Sequence, residues 1–90
     1  MRKIKEDDLE NALEKYSKSD LKISIKGSFY SESIFRNTQI QFLKEDKCFN
    51  IIDKNNTIKM QLGYIEEILE EDEKLKLNLE NDVEVFVQKI

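Results

Sequence analysis

Residues 75–87 read Leu-Lys-Leu-Asn-Leu-Glu-Asn-Asp-Val-Glu-Val-Phe-Val. Apolar side chains stand at every second position on both sides of Glu80-Asn81-Asp82, the period of a half-buried strand that turns back on itself. Parity decides the register. A two-residue loop at Asn81-Asp82 would oppose Leu77 with Phe86 and Leu79 with Glu84, putting a carboxylate on the core face. A three-residue loop opposes Leu79 with Val83 and Leu77 with Val85. The three-residue loop is therefore expected, with Asn81 or Asp82 in the left-handed conformation. Strand alternation then turns Phe86 outward, toward an interface or a second apolar layer and away from the main core.

The same parity argument extends toward the N-terminus. With Lys44-Glu45-Asp46-Lys47 as a four-residue loop, Phe42 opposes Phe49 and Ile40 opposes Ile51. With Asp53-Lys54-Asn55-Asn56 as the next loop, Ile51 opposes Ile58 and Phe49 opposes Met60, and Leu62 continues the core face. Leu21, Ile23 and Ile25 alternate with Lys22, Ser24 and Lys26 as a further strand, and Gly27 marks a bulge or the strand's end. Residues 28–37 fit either an extension of that strand through Phe29 or a loop that packs Ile34 and Phe35.

Before Leu21 the period is helical. Leu9, Ala12, Leu13 and Tyr16 fall on one helical face. Asp7 and Glu10 have the spacing of a capping box, and the acids of the first turn suit the helix dipole. A helix is expected over residues 7–18. In residues 63–73, Tyr64, Ile65, Ile68 and Leu69 are also helically spaced, which predicts a short helix or helical turn; an irregular strand is the alternative.

The expected fold class is therefore α+β, mainly β: an N-terminal helix, then a six-stranded antiparallel meander curled into a small barrel or roll. Ninety residues form one domain, residues 1–90. The pattern resembles the architecture of small SH3-like and Sm-like barrels, and no motif assigns the chain to either family.

Composition bears on chemistry mainly by what is missing. The chain has no histidine, proline or tryptophan, one cysteine, two glycines and a net charge of −4. It lacks the commonest general base and metal ligand. Cys48 alone forms neither an internal disulfide nor a thiolate zinc site, and with Leu43 opposite it is expected on the outer face as a small inert side chain. Two distant glycines make no phosphate loop, and no Gly-x-Ser-x-Gly motif is present. Asp53-Lys54-Asn55-Asn56-Thr57 begins like a calcium loop but lacks its glycine and distal glutamate. No cofactor, metal or catalytic residue is expected, and the chain is read as not an enzyme. No run of roughly 18 apolar residues is present, and the basic first residues lead into no apolar segment, so a cytoplasmic location is expected. Abundant lysine, isoleucine and asparagine suit an AT-rich coding sequence of a bacterium or phage.

Three surfaces are candidate contacts. Glu66, Glu67, Glu70, Glu71, Asp72 and Glu73 form an acidic run that would suit a basic protein partner or simply solvate a turn. Leu43, Ile52 and Phe86, with Cys48, are apolar positions on the outer face and would form a patch for a partner or a second subunit unless covered within the monomer. Lys22, Lys26, Lys59 and Lys76, with Tyr30 and Phe86 nearby, would make a nucleic-acid surface, although the negative net charge argues against one. The favoured reading is a small cytosolic non-catalytic protein acting through protein contacts, such as an acidic inhibitor or immunity-type factor. The alternatives are an RNA-binding small barrel and a structural oligomer subunit. A protein partner or self-association is expected, and membrane association is not.

Overall fold

Alternation of apolar and polar side chains produces nine short strands, all antiparallel, in the computed structural model of residues 1–90. In chain order they are β1 (Arg2–Ile4), then helix α1 (Leu9–Glu14), β2 (Leu21–Lys26), β3 (Tyr30–Phe35), β4 (Gln39–Leu43), β5 (Cys48–Ile52), β6 (Thr57–Gln61), β7 (Ile65–Glu71), β8 (Lys74–Leu79) and β9 (Val83–Lys89). The chain is mainly β with one N-terminal helix, as expected. The single six-stranded meander is not what forms. Six strands build one sheet in the order β1-β7-β8-β9-β2-β3, and β4-β5-β6 build a second. β9 returns to lie beside β2, and neither sheet closes into a barrel.

Every register argued from parity is present. Phe42 opposes Phe49 and Ile40 opposes Ile51. Phe49 opposes Met60 and Ile51 opposes Ile58. Leu79 opposes Val83 and Leu77 opposes Val85, and both Asn81 (φ 62°) and Asp82 (φ 59°) take the left-handed conformation. Phe42 and Phe49 stack with ring centroids 6.3 Å apart.

Three expectations are corrected. Residues 63–73 take the alternative of an irregular strand in place of the expected helix: after a 3-10 turn at Leu62–Tyr64 they form β7. A register shift between Ile65 and Glu67 leaves Glu66 as an extra residue, so Ile65 and Ile68 both face the core despite being three apart. The first helix is shorter than residues 7–18. A 3-10 turn occupies Glu6–Asp8 and α1 runs only from Leu9 to Glu14, with no side-chain cap from Asp7 or Asp8. Its apolar face is nevertheless the expected one, since Leu9, Ala12, Leu13 and Tyr16 are all buried. Finally, the ambiguous residues 28–37 contain β3, which pairs with β2 over six unbroken positions. Gly27 opens the turn between these strands, and a Cβ there would lie 3.2 Å from Val83 Cγ2.

One core holds both sheets and the helix. Leu9, Leu13 and Tyr16 of the helical segment, Ile23, Leu75, Leu77, Val85 and Val87 of the large sheet, and Phe49, Ile51 and Met60 of the small sheet belong to a single cluster. The sheets are also tied at the surface. Asp20 accepts hydrogen bonds from Asn37 N–H (3.0 Å) and Arg36 Nη1 (3.1 Å), and Asp53 accepts one from Arg36 N–H (3.0 Å). The Asn37 bond first, then the Arg36 guanidinium, hold the Asp20 carboxyl below the usual carboxylate range.

Candidate functional site

Because residues 65–71 form a strand, the acidic run is divided. Glu67 and Glu71 point to the outer face of the large sheet with Leu69, Glu66 sits in the bulge, and Asp72-Glu73 form the turn to β8. Glu70 points the other way, beside Ile68 and opposite Leu75, and is only 8% exposed. Its charge is met by Arg2, directly across the β1–β7 ladder, and by Lys15 Nζ at 3.3 Å. Burial pushes the Glu70 carboxyl up, and the hydrogen bonds from Arg2 and Lys15 outweigh it, so the group ends below its ordinary value. The six acids therefore do not share one docking face.

Glu70 lies in an open cleft of about 630 Å³ lined by Arg2, Lys15, Tyr16, Glu73 and Lys89. Burial, followed by the charges of Glu70 and Glu73, pushes the Tyr16 hydroxyl up to about 12, and Lys89 Nζ lies 5.7 Å from the ring centroid. A carboxylate made less basic and a phenol made less acidic are both tuned away from proton transfer near neutral pH. No group of three or more histidine, cysteine, aspartate and glutamate side chains converges as a metal site.

The expected apolar patch is also dispersed. Phe86 is on the outer face of the large sheet, opposite Lys76 and Ser24. It is half-buried beneath Lys74 Nζ and Lys76 Nζ, at 5.0 and 5.6 Å from its ring centroid. Leu43 and Ile52 are in the small sheet, at opposite ends of its outer face and separated by the Gln41, Asn50 and Lys59 row. Cys48 pairs with Leu43 on that face, as expected, yet is only 1% exposed. It lies where the turn after β6 folds back onto the hairpin end, with Leu62 N–H donating to the Lys47 carbonyl.

Of the four lysines, Lys22, Lys26 and Lys76 share the large sheet's outer face with Tyr30 and Phe86, and Lys59 belongs to the other sheet. Lys74 joins the first group. Acids interleave with them: Lys76 Nζ is 2.7 Å from a Glu84 oxygen and Lys22 Nζ is 3.7 Å from a Glu32 oxygen. The face is mixed in charge.

The most apolar exposed surface is one that sequence reasoning did not single out. β3 is the outermost strand beyond β2, and no element pairs with its free edge. Phe29 is 87% exposed, Tyr30 60% and Ile34 42%, and Tyr30 and Ile34 point to the same outer face with Glu32 between them. Natural edge strands are usually blunted by lysine, proline, a bulge or a cover. β3 has no lysine, no proline and no bulge, and its one charged side chain, Glu32, is paired with Lys22 of the neighbouring strand. The signal was present in Tyr30-Ser31-Glu32-Ser33-Ile34-Phe35 as a period-two pattern with serines on its inner face, which an edge strand tolerates. No helix is long and apolar enough to cross a membrane. No protein-family model, curated protein or solved structure matches the chain.

Proposed function

We propose that this chain is a small non-catalytic protein-binding module whose contact surface is the open β3 edge of the large sheet. The observation that carries the reading is an open edge strand, with Glu32 as its single charge, bordered by Phe29, Tyr30 and Ile34 in water. An edge of this kind binds by adding a strand: backbone hydrogen bonds supply affinity and alternate side chains supply selectivity. Within this reading, an inhibitor or immunity-type role toward a basic target would draw on Glu71, Asp72 and Glu73 at the β7–β8 turn, and the cytoplasm is the proposed place of action.

A second reading is RNA binding by the outer face, favoured by the shared position of Lys22, Lys26, Lys74, Lys76, Tyr30 and Phe86. Affinity capture separates the two. The wild type, Tyr30→Ser/Ile34→Ser and Lys74→Glu/Lys76→Glu are compared with and without nuclease. A protein retained through nuclease treatment and lost only with the Tyr30/Ile34 variant supports the edge. A nuclease-sensitive catch lost with the lysine variant overturns it in favour of RNA.

A further inference from the structure

We infer that the occupant of the β3 edge is a second copy of this chain, with the two β3 strands pairing antiparallel about a two-fold axis at Glu32. The inference rests on the proposed role of that edge and names what fills it.

A two-fold axis perpendicular to the sheet places the outer faces of both copies on the same side. Opposed residues must then have numbers of even sum, because directly opposed residues of an antiparallel pair share a face. Few registers qualify. One centred on Ser31 sets Glu32 against Tyr30 of the other copy. One centred on Ser33 sets Glu32 against Ile34. The register centred on Glu32 sets Tyr30 against Ile34 twice, Ser31 against Ser33 twice, and Glu32 against itself. It alone of the three pairs each exposed apolar side chain with another, and it leaves both free strand edges hydrogen-bonded over their shared length. Its one unfavourable contact is Glu32 facing its symmetry mate, and Lys22 already lies 3.7 Å from each Glu32 carboxylate. Each Glu32 charge is thereby met by its own Lys22, and the row Lys22-Glu32-Glu32-Lys22 carries no net charge.

The contact is small. Two edge strands with four such side chains make a contact smaller than the roughly 1,600 Å² of a standard stable interface, so a weak, reversible dimer is expected. Its association is therefore concentration-dependent.

Sedimentation of the full chain from micromolar to millimolar concentration reads this directly. The wild type is expected to dimerise reversibly. Glu32→Gln is expected to tighten the dimer about fivefold, by removing like charges set directly opposite, and Ile34→Lys to abolish it with an unchanged circular dichroism spectrum. Under oxidation Glu32→Cys should cross-link to itself, since opposed Cα atoms lie roughly 4.5–5.5 Å apart. Ser33→Cys should not, because it faces Ser31. A chain that stays monomeric at millimolar concentration, a dimer indifferent to Ile34→Lys, or cross-linking by Ser33→Cys equal to that of Glu32→Cys overturns the inference. A monomer that still captures another protein through Tyr30 and Ile34 overturns self-pairing while leaving the binding role of the edge intact.

Discussion

Replacing Glu70 by leucine tests whether the buried carboxylate stabilises this fold or only tolerates its position. Glu70 faces the core side of the sheet between Ile68 and the end of the strand, with Leu75 across the ladder. Two terms compete. Removing a carboxylate from water costs several kcal/mol, and the hydrogen bonds and charges of Arg2 and Lys15 offset that cost and somewhat more, which is why the carboxyl ends below its ordinary value. Both donors are themselves well exposed, so solvent screens their charges and the surplus left after desolvation is small. Glu70→Leu removes both terms and adds apolar contact with Leu75, so its stability at neutral pH should equal or exceed that of the wild type by up to about 2 kcal/mol. For a chain of this length, 1 kcal/mol moves Tm by ~5 °C. Arg2→Ala/Lys15→Ala leaves the carboxylate buried and unpaired, and should cost about 2 kcal/mol. Acid gives an independent reading. The folded pKa of Glu70 lies below its ordinary value of 4.5. Its stabilisation is therefore complete above about pH 4.5 and is lost as pH falls through the lower folded value. Glu70→Leu lacks that loss, so the stability difference between variant and wild type should widen in acid. Urea titrations at neutral pH and at pH about 3 measure both quantities. The reasoning fails if Glu70→Leu is destabilised as much as Arg2→Ala/Lys15→Ala, or if its acid loss matches the wild type.

Asn81 holds a left-handed conformation (φ 62°), so Asn81→Val should lower stability by about 1–2 kcal/mol and Asn81→Gly should leave it nearly unchanged; thermal melts distinguish them. Cys48 should react with a thiol reagent at a negligible rate in the native protein and promptly in denaturing urea, which a colorimetric thiol assay follows. Phe86→Ala should cost about 1–2 kcal/mol in urea titrations, less than a fully buried phenylalanine, because its ring is covered by lysine stems and not by the core.

What could be read from the sequence follows from where the alternation is undisturbed. β4, β5, β6, β8 and β9 each carry two or three apolar residues at strict spacing between polar loops, so parity alone leaves one register. β7 conceals its alternation because the bulge at Glu66 moves Ile65 and Ile68 onto one face, and with Leu69 they imitate a helical stripe. β1 is three residues long and has a single apolar position, Ile4. Inner-face serines left the β3 segment readable as either an extension of β2 or a loop. For the candidate surfaces, alternation correctly turned Phe86 outward, but one-dimensional spacing could not show that Leu43, Ile52 and Lys59 belong to a different sheet. Charge likewise suggested that Glu70 faces solvent, whereas its partner Arg2 is 68 positions away.

The placement of β9 beside β2 has a kinetic consequence. The small sheet and the β7–β8 and β8–β9 hairpins join near neighbours in the chain, but Lys26 pairs with Glu84 across most of its length. Closing that span costs about 3.6 kcal/mol of chain entropy by the logarithmic loop law, before any contact along the seam compensates for it. Local hairpins can therefore form first, with the β2–β9 seam as the late, rate-limiting closure, and folding should fall in the millisecond-to-second range of β proteins rich in distant pairings. Substitutions within that seam would then slow folding as well as speed unfolding, in proportion to how far the seam is formed at the barrier.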